Sequence, residues 1–167
     1  MLGVLGGPAG GFSVATIHRA ENTDDPARLA AILAALAQVG HPVVLLAHPR
    51  LRAKAALHGI PLQSGSVTVR DPLSYPDLVA AVSAARGVIT DSGGLQKEAF
   101  VLRTPCTTVR TETEWVETVE LGWNVLVEPG PDLAAAADRP PPAPTDATPY
   151  GDGNAARATL DALVDRR

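Results

Sequence analysis

A chain of 167 residues is long enough to bury one core of ordinary domain size, and 46% hydrophobic with 19% charged residues marks a folded globular protein. Fourteen Lys and Arg against eighteen Asp and Glu give a net charge of −4, which argues against a nucleic-acid-binding surface but leaves local anion sites open. The single cysteine, Cys106, excludes an intrachain disulfide and a multi-cysteine metal site.

No apolar run reaches the roughly 18 residues of a membrane span, and residues 1–7 lack the basic start of a signal peptide, so a cytoplasmic location is expected. Residues 1–12 are glycine-rich and read as a flexible lead-in. A short strand is expected over 13–17, then a helix over 26–39, where Leu29, Ile32, Leu33 and Leu36 recur at helical spacing behind Asp24, Asp25 and Pro26. Residues 42–47 form a continuous apolar run of the kind found in a parallel sheet covered on both faces. His41 and His58, at the far strand end and on a helix, read as surface residues.

Further helices are expected over 50–57, 76–85, 94–102 and 114–120, alternating with strands over 67–69, 88–90, 106–109 and 123–127. Cys106 falls in one of these strands, as a buried thiol. Residues 138–152 are proline-dense and read as an extended segment, followed by a terminal helix within 153–167. The succession of βα units predicts a Rossmann-like doubly wound parallel sheet over 13–137. In such sheets ligands bind beyond the carboxyl ends of the strands, here the residues after Ile17, Ala47, Val69, Thr90 and Val109.

The most informative of these loops is Thr90-Asp91-Ser92-Gly93-Gly94-Leu95-Gln96-Lys97-Glu98. A buried strand running into a glycine turn and a helix directs unpaired amides and a positive helix end at one point, which suits a phosphate. Glu98, about one turn further on, suits sugar hydroxyls better than an anion. The plainer reading is a capped helix, with Asp91 or Ser92 as the cap.

Three other loops carry polar groups straight after a strand. His18, Arg19 and Glu21 follow the first, His48 and Arg50 the second, and Arg110 and Glu114 the fifth. His18 is able to hold a phosphate or move a proton near neutral pH. Tyr75 is either a stacking platform for a base or loop filling, and Trp115 is more naturally a core residue. No spacing matches a zinc site, and no Ser/His/Asp set has a recognisable local context.

In this order the motifs resemble the UDP-N-acetylglucosamine 2-epimerase family, non-hydrolysing type, over roughly residues 13–165. The matching pieces are Thr16-Ile17-His18-Arg19-Ala20-Glu21-Asn22, His48-Pro49, Pro72-Leu73-Ser74-Tyr75, the Thr90 to Glu98 run, Arg110-Thr111-Glu112-Thr113-Glu114, Gly122-Trp123-Asn124 and Gly151-Asp152-Gly153. The resemblance implies the carboxyl-terminal half of a two-domain GT-B architecture that holds UDP, with the sugar in the cleft between domains. It implies isomerisation of UDP-GlcNAc to UDP-ManNAc by elimination and re-addition of UDP, without a nicotinamide or metal cofactor. It further implies Ser92, Gly93 and Gly94 on the diphosphate, Glu98 on the ribose and Tyr75 near the uracil. His18 would meet the departing phosphate as the catalytic residue, with Arg19 and Arg110 adding charge around the diphosphate.

Two departures from the family pattern shape the expectations. The amino-terminal domain, which carries the carboxylates that handle the C2 proton, has no counterpart in this sequence. The chain is therefore expected to bind UDP but to be inactive alone, with any family-type homodimer a property of the full-length form. Ala20 stands where many members activated by their own substrate have a second arginine, so substrate activation is not expected. The competing readings are a hydrolysing epimerase, the donor-binding domain of a GT-B glycosyltransferase, and a non-catalytic nucleotide-binding module.

Overall fold

The computed structural model describes residues 9–164. The strands β1 (Ser13–Thr16), β2 (Val43–Leu46), β3 (Val67–Arg70), β4 (Gly87–Thr90), β5 (Cys106–Thr108) and β6 (Asn124–Leu126) form one parallel sheet in the order β3-β2-β1-β4-β5-β6. This is a Rossmann-like sheet, as the alternating pattern predicts. Its order reverses direction between β1 and β4, where the chain leaves the sheet on opposite sides and opens a crevice.

The helices are α1 (Ala20–Thr23), α2 (Pro26–Ala37), α3 (Pro49–His58), α4 (Tyr75–Ala84), α5 (Gly93–Val101), α6 (Val116–Glu120), α7 (Asp132–Ala137) and α8 (Ala155–Val164). Side chains alternate across the strands, and each face meets its own helices. Ala15, Leu45 and Ile89 pack with Leu29, Ile32 and Leu36 of α2 and Leu133 of α7, while Val14 and Val44 pack with Phe12 and Ala81 on the other side. Each Val, Leu, Ile or Phe side chain among these, removed from water, contributes about 1.5–3 kcal/mol. The α2 start is fixed as its sequence predicts, with Asp25 accepting from the Ala27 and Arg28 amides ahead of Pro26.

Several details differ from the sequence expectations. Helices α1 and α7 were not foreseen, because each is shorter than the window in which helical periodicity shows. His41 is not a surface residue: its ring is 10% exposed, bonded to Ser13 and Asp138. Asp138 lies 97 positions away, so no local pattern reports the pairing. Of the expected lead-in, residues 1–8 lie outside the described residues, and Phe12 is fully buried. Residues 165–167 of the terminal segment also lie outside them.

The proline-dense segment is tied back at two points. Arg103 donates to the Ala147 carbonyl, and the Tyr150 ring packs edge-on against Phe100 and Trp115. Every residue of α8 is exposed, including Leu160 and Leu163. No helix among the described residues is long and apolar enough to cross a membrane.

Candidate nucleotide site

The site is built where β1 and β4 end side by side. Thr16 and Thr90 are register partners, and their hydroxyls lie 2.6 Å apart. Immediately beyond, Asp91 is fully buried and gathers the β1 loop around its carboxylate. It accepts from the His18 amide (3.1 and 3.0 Å), the Arg19 amide (2.9 Å), the Asn22 side chain (3.1 Å) and His18 Nδ1 (3.1 Å). Asn22 in turn donates to the Val109 carbonyl, tying in the end of β5. Asp91 is thus not the cap of α5 but the pin that holds the His18 loop to the glycine turn.

The pair perturbs both members. The hydrogen bond to Asp91 raises the His18 pKa, against the lowering effect of burial. Burial alone would push the Asp91 carboxyl up, but the His18 ring, the Arg19 amide and Asn22 together hold it below the usual carboxylate range.

Ser92 caps α5, its hydroxyl 3.5 Å from the Leu95 amide, and its own amide donates to Thr90 Oγ1 at 3.0 Å. Gly93 and Gly94 open the helix, so their amides lie in the turn that has no intrahelical acceptor. A side chain on Gly94 would meet nothing within 4 Å, so bare backbone faces the crevice there. A cleft of about 400 Å³, a size suited to a nucleotide, is lined by His18, His48, Tyr75, Ser92, Gly94 and Glu98 among others. Five of the eight residues singled out from the sequence therefore meet on one cleft: His18, Tyr75, Ser92, Gly94 and Glu98.

The other three lie behind the glycine turn. Gly93 sits against Glu114, whose Oε2 would be 3.5 Å from a Cβ there. Arg110 is buried and grips Glu114 with two bonds of 2.9 and 3.0 Å, while Arg19 approaches Glu114 at 3.9 Å. The Arg110 hydrogen bonds push the Glu114 carboxyl down to about 2. Trp115 is half-buried rather than core, and its Nε1 donates to the Gly93 carbonyl at 2.6 Å. Sequence reasoning missed Asn22, His48 as a helix cap 5.8 Å from the His18 ring, and Gln96. Gln96 is buried and bonded to Thr113 and Asn124, joining α5 to the segments after β5. No group of three or more His, Cys, Asp or Glu suited to a metal occurs among the described residues.

The sequence profile of UDP-N-acetylglucosamine 2-epimerase matches residues 4–164. The chain belongs to the UDP-N-acetylglucosamine 2-epimerase family. It is 44% identical over 160 residues to the UDP-2,3-diacetamido-2,3-dideoxy-D-glucuronate 2-epimerase of Pseudomonas aeruginosa, covering 92% of this chain and 44% of that protein. It is 40% identical over 119 residues to a UDP-N-acetylglucosamine 2-epimerase homolog of Methanococcus maripaludis, covering 70% and 33%.

Among solved structures it superposes on the UDP-GlcNAc 2-epimerase of Methanocaldococcus jannaschii in complex with UDP-GlcNAc and UDP. The TM-score is 0.82 at 25% identity, over 98% of this chain and 48% of that one. The Listeria monocytogenes relative gives 0.74 at 27% identity, over 97% and 46%. The chain thus spans less than half the length of these family members, as one Rossmann-like domain of the GT-B type.

Proposed function

We propose that this chain is the carboxyl-terminal, UDP-binding domain of a nucleotide-sugar 2-epimerase and does not turn over substrate alone. The observation that carries this is the joint placement of His18, Ser92, Gly94 and Glu98 on one cleft at the β1–β4 switch point. The amides opening α5 and the Ser92 hydroxyl hold the diphosphate, with the helix dipole favouring its charge. Glu98, within the same helix, accepts from the ribose hydroxyls, and Tyr75, 63% exposed at the cleft mouth, lies against the uracil.

His18 is positioned by Asp91 and biased toward the imidazolium form, so it stabilises negative charge as the UDP oxygen leaves the sugar and again as it returns. Arg110, Arg19 and Glu114 support the turn from behind. The carboxylates that remove and return the C2 proton belong to the amino-terminal domain, and the cleft between the two domains encloses the sugar.

Calorimetric titration with UDP, using ADP as control, tests this reading. Saturable binding of UDP alone, lost in Ser92→Ala and Glu98→Ala, is the expected result, and absence of UDP binding overturns it. Epimerisation by the pure chain would overturn the inactivity.

A second reading of the sugar rests on the 44% identity to an enzyme of a diacetamido glucuronate, against lower identities to those named for UDP-GlcNAc. On that reading the substrate carries a carboxylate at C6. Comparing UDP-GlcNAc with the uronate in a full-length version separates the two, and its products separate the epimerase from a hydrolysing form.

A further inference from the structure

At the opposite end of the sheet from the UDP cleft, three side chains from distant parts of the chain form a hydrogen-bonded line. Ser13, at the start of β1, has its Oγ 2.7 Å from Nε2 of His41, and His41 Nδ1 lies 2.8 Å from Asp138 Oδ1. The Gly40 amide donates to the other oxygen, Asp138 Oδ2, at 2.8 Å. The direction of the line follows from its end. A carboxylate only accepts, so Nδ1 of a neutral His41 carries the proton, and Nε2 accepts the hydroxyl proton of Ser13. The lone pairs of Ser13 Oγ are then left for something else.

That oxygen borders a cavity of about 190 Å³, lined also by Arg86, Gly87, Pro105, Thr107 and Arg139. For comparison, an apolar cavity of about 150 Å³ accepts a benzene-sized molecule. Register pairs Ser13 with Gly87, whose missing side chain leaves open the space 3.5 Å from Ser13 Oγ. Two arginines line this space. Among the described residues Arg139 bonds only to neutral acceptors, namely Thr107 and the carbonyls of Ala136, Cys106 and Trp123. Arg86 spends one N–H on the Asp138 carbonyl. Among the described residues neither forms a salt bridge with a carboxylate, although six other cationic side chains and two histidines do.

We propose that Ser13, His41 and Asp138 form a second, serine-nucleophile site at the amino end of the sheet, for small carboxylic esters that carry a negative charge. Ser13 Oγ attacks the ester carbonyl carbon as His41 Nε2 takes the hydroxyl proton, and Asp138 holds the ring in the required tautomer. The carbonyl oxygen becomes an oxyanion facing the guanidinium groups. Its collapse breaks the bond to the leaving alkoxide, which takes the proton from His41. Water, deprotonated by the same imidazole, then cleaves the acyl-serine, releasing the carboxylic acid and restoring Ser13. The same line of bonds would also serve as an inert strut between β1, the turn before β2 and the end of α7, and reactivity separates the two.

The test is to treat the full chain with a fluorophosphonate probe and with 4-nitrophenyl esters, then locate the adduct by peptide mapping. The expected result is a single phosphonyl adduct on Ser13, absent in Ser13→Ala, with His41→Gln and Asp138→Asn slowing labelling by about 100-fold or more. The hemisuccinate ester should react faster than the acetate, and substitution of the exposed Arg86 by Gln should erase that preference. No adduct on the folded wild type, an adduct elsewhere, or equal labelling rates in His41→Gln and Asp138→Asn would overturn the site. Equal rates for the two esters would overturn its preference for anions. Should Ser13→Ala fail to fold, the position of the wild-type adduct decides alone.

Discussion

Asp91 receives both the backbone amide and the ring of His18, so the end of β4 fixes the position of a side chain on the β1 loop and favours its protonated form. Asp91→Asn keeps the shape but turns an N–H toward these donors. Leaving one or two of them unsatisfied in a buried setting costs about 1–3 kcal/mol each. A lowered urea midpoint with an unchanged slope checks the stability loss, and UDP affinity should fall in parallel because His18 is no longer held. Full stability in Asp91→Asn would mean that the β1 loop is fixed by something else.

The same pair makes stability depend on pH in a defined window. The folded pKa of His18 lies above its ordinary 6.5, so its contribution is complete below 6.5 and is lost as pH rises through the folded value. The folded pKa of Asp91 lies below its ordinary 3.8, so its contribution is complete above 3.8 and is lost as pH falls through the folded value. The pair therefore contributes fully between these two ordinary values. Urea midpoints measured from about pH 6 to 8.5 should fall for the wild type and stay flatter for His18→Gln. Parallel profiles for the two proteins would contradict the assignment.

Glu114 makes an acid-side prediction. Its carboxyl, held down to about 2 by Arg110, contributes stability above its ordinary 4.5 and loses it as pH falls through about 2. Carbon-detected NMR titration should find it ionised at pH values where the exposed carboxylates are already protonated. In Arg110→Gln its pKa should rise toward the ordinary 4.5. Because the carboxylate is more than half exposed, this change should show in the titration more than in global stability.

How far the sequence discloses this molecule depends on the range of the interaction. Strands such as 42–47 are legible because a fully buried parallel strand must be apolar throughout. Helix α2 is legible because its cap, its proline and its apolar stripe agree. The helix start at Ser92 and Gly93 is legible because a serine cap and the glycines behind it are local residues. Asp91 illustrates the limit. From sequence it reads as a cap two residues before a helix, whereas its partners lie 69 to 73 positions away across the switch point. His41 fails for the same reason, since its carboxylate arrives from α7. Arg110 reads as free charge, and only the fold shows that Glu114 already claims it.

Gly94→Ala separates the phosphate reading of the α5 turn from a merely structural one. Gly94 has ordinary helical backbone and open space around the position of a Cβ, so alanine fits without strain. In a helix alanine is favoured over glycine by roughly 1 kcal/mol, so thermal stability should hold or rise slightly. The added methyl nevertheless stands on the cleft side of the turn, where a phosphate needs close approach to the amides. UDP affinity should therefore drop about tenfold or more, roughly 1.4 kcal/mol, in a protein at least as stable as the wild type. On the proposed reading, which sets the Glu98 carboxylate on the ribose hydroxyls, Glu98→Ala should also weaken UDP, but deoxy-UDP far less. If Gly94→Ala binds UDP as well as the wild type, the turn caps a helix and the diphosphate lies elsewhere in the cleft.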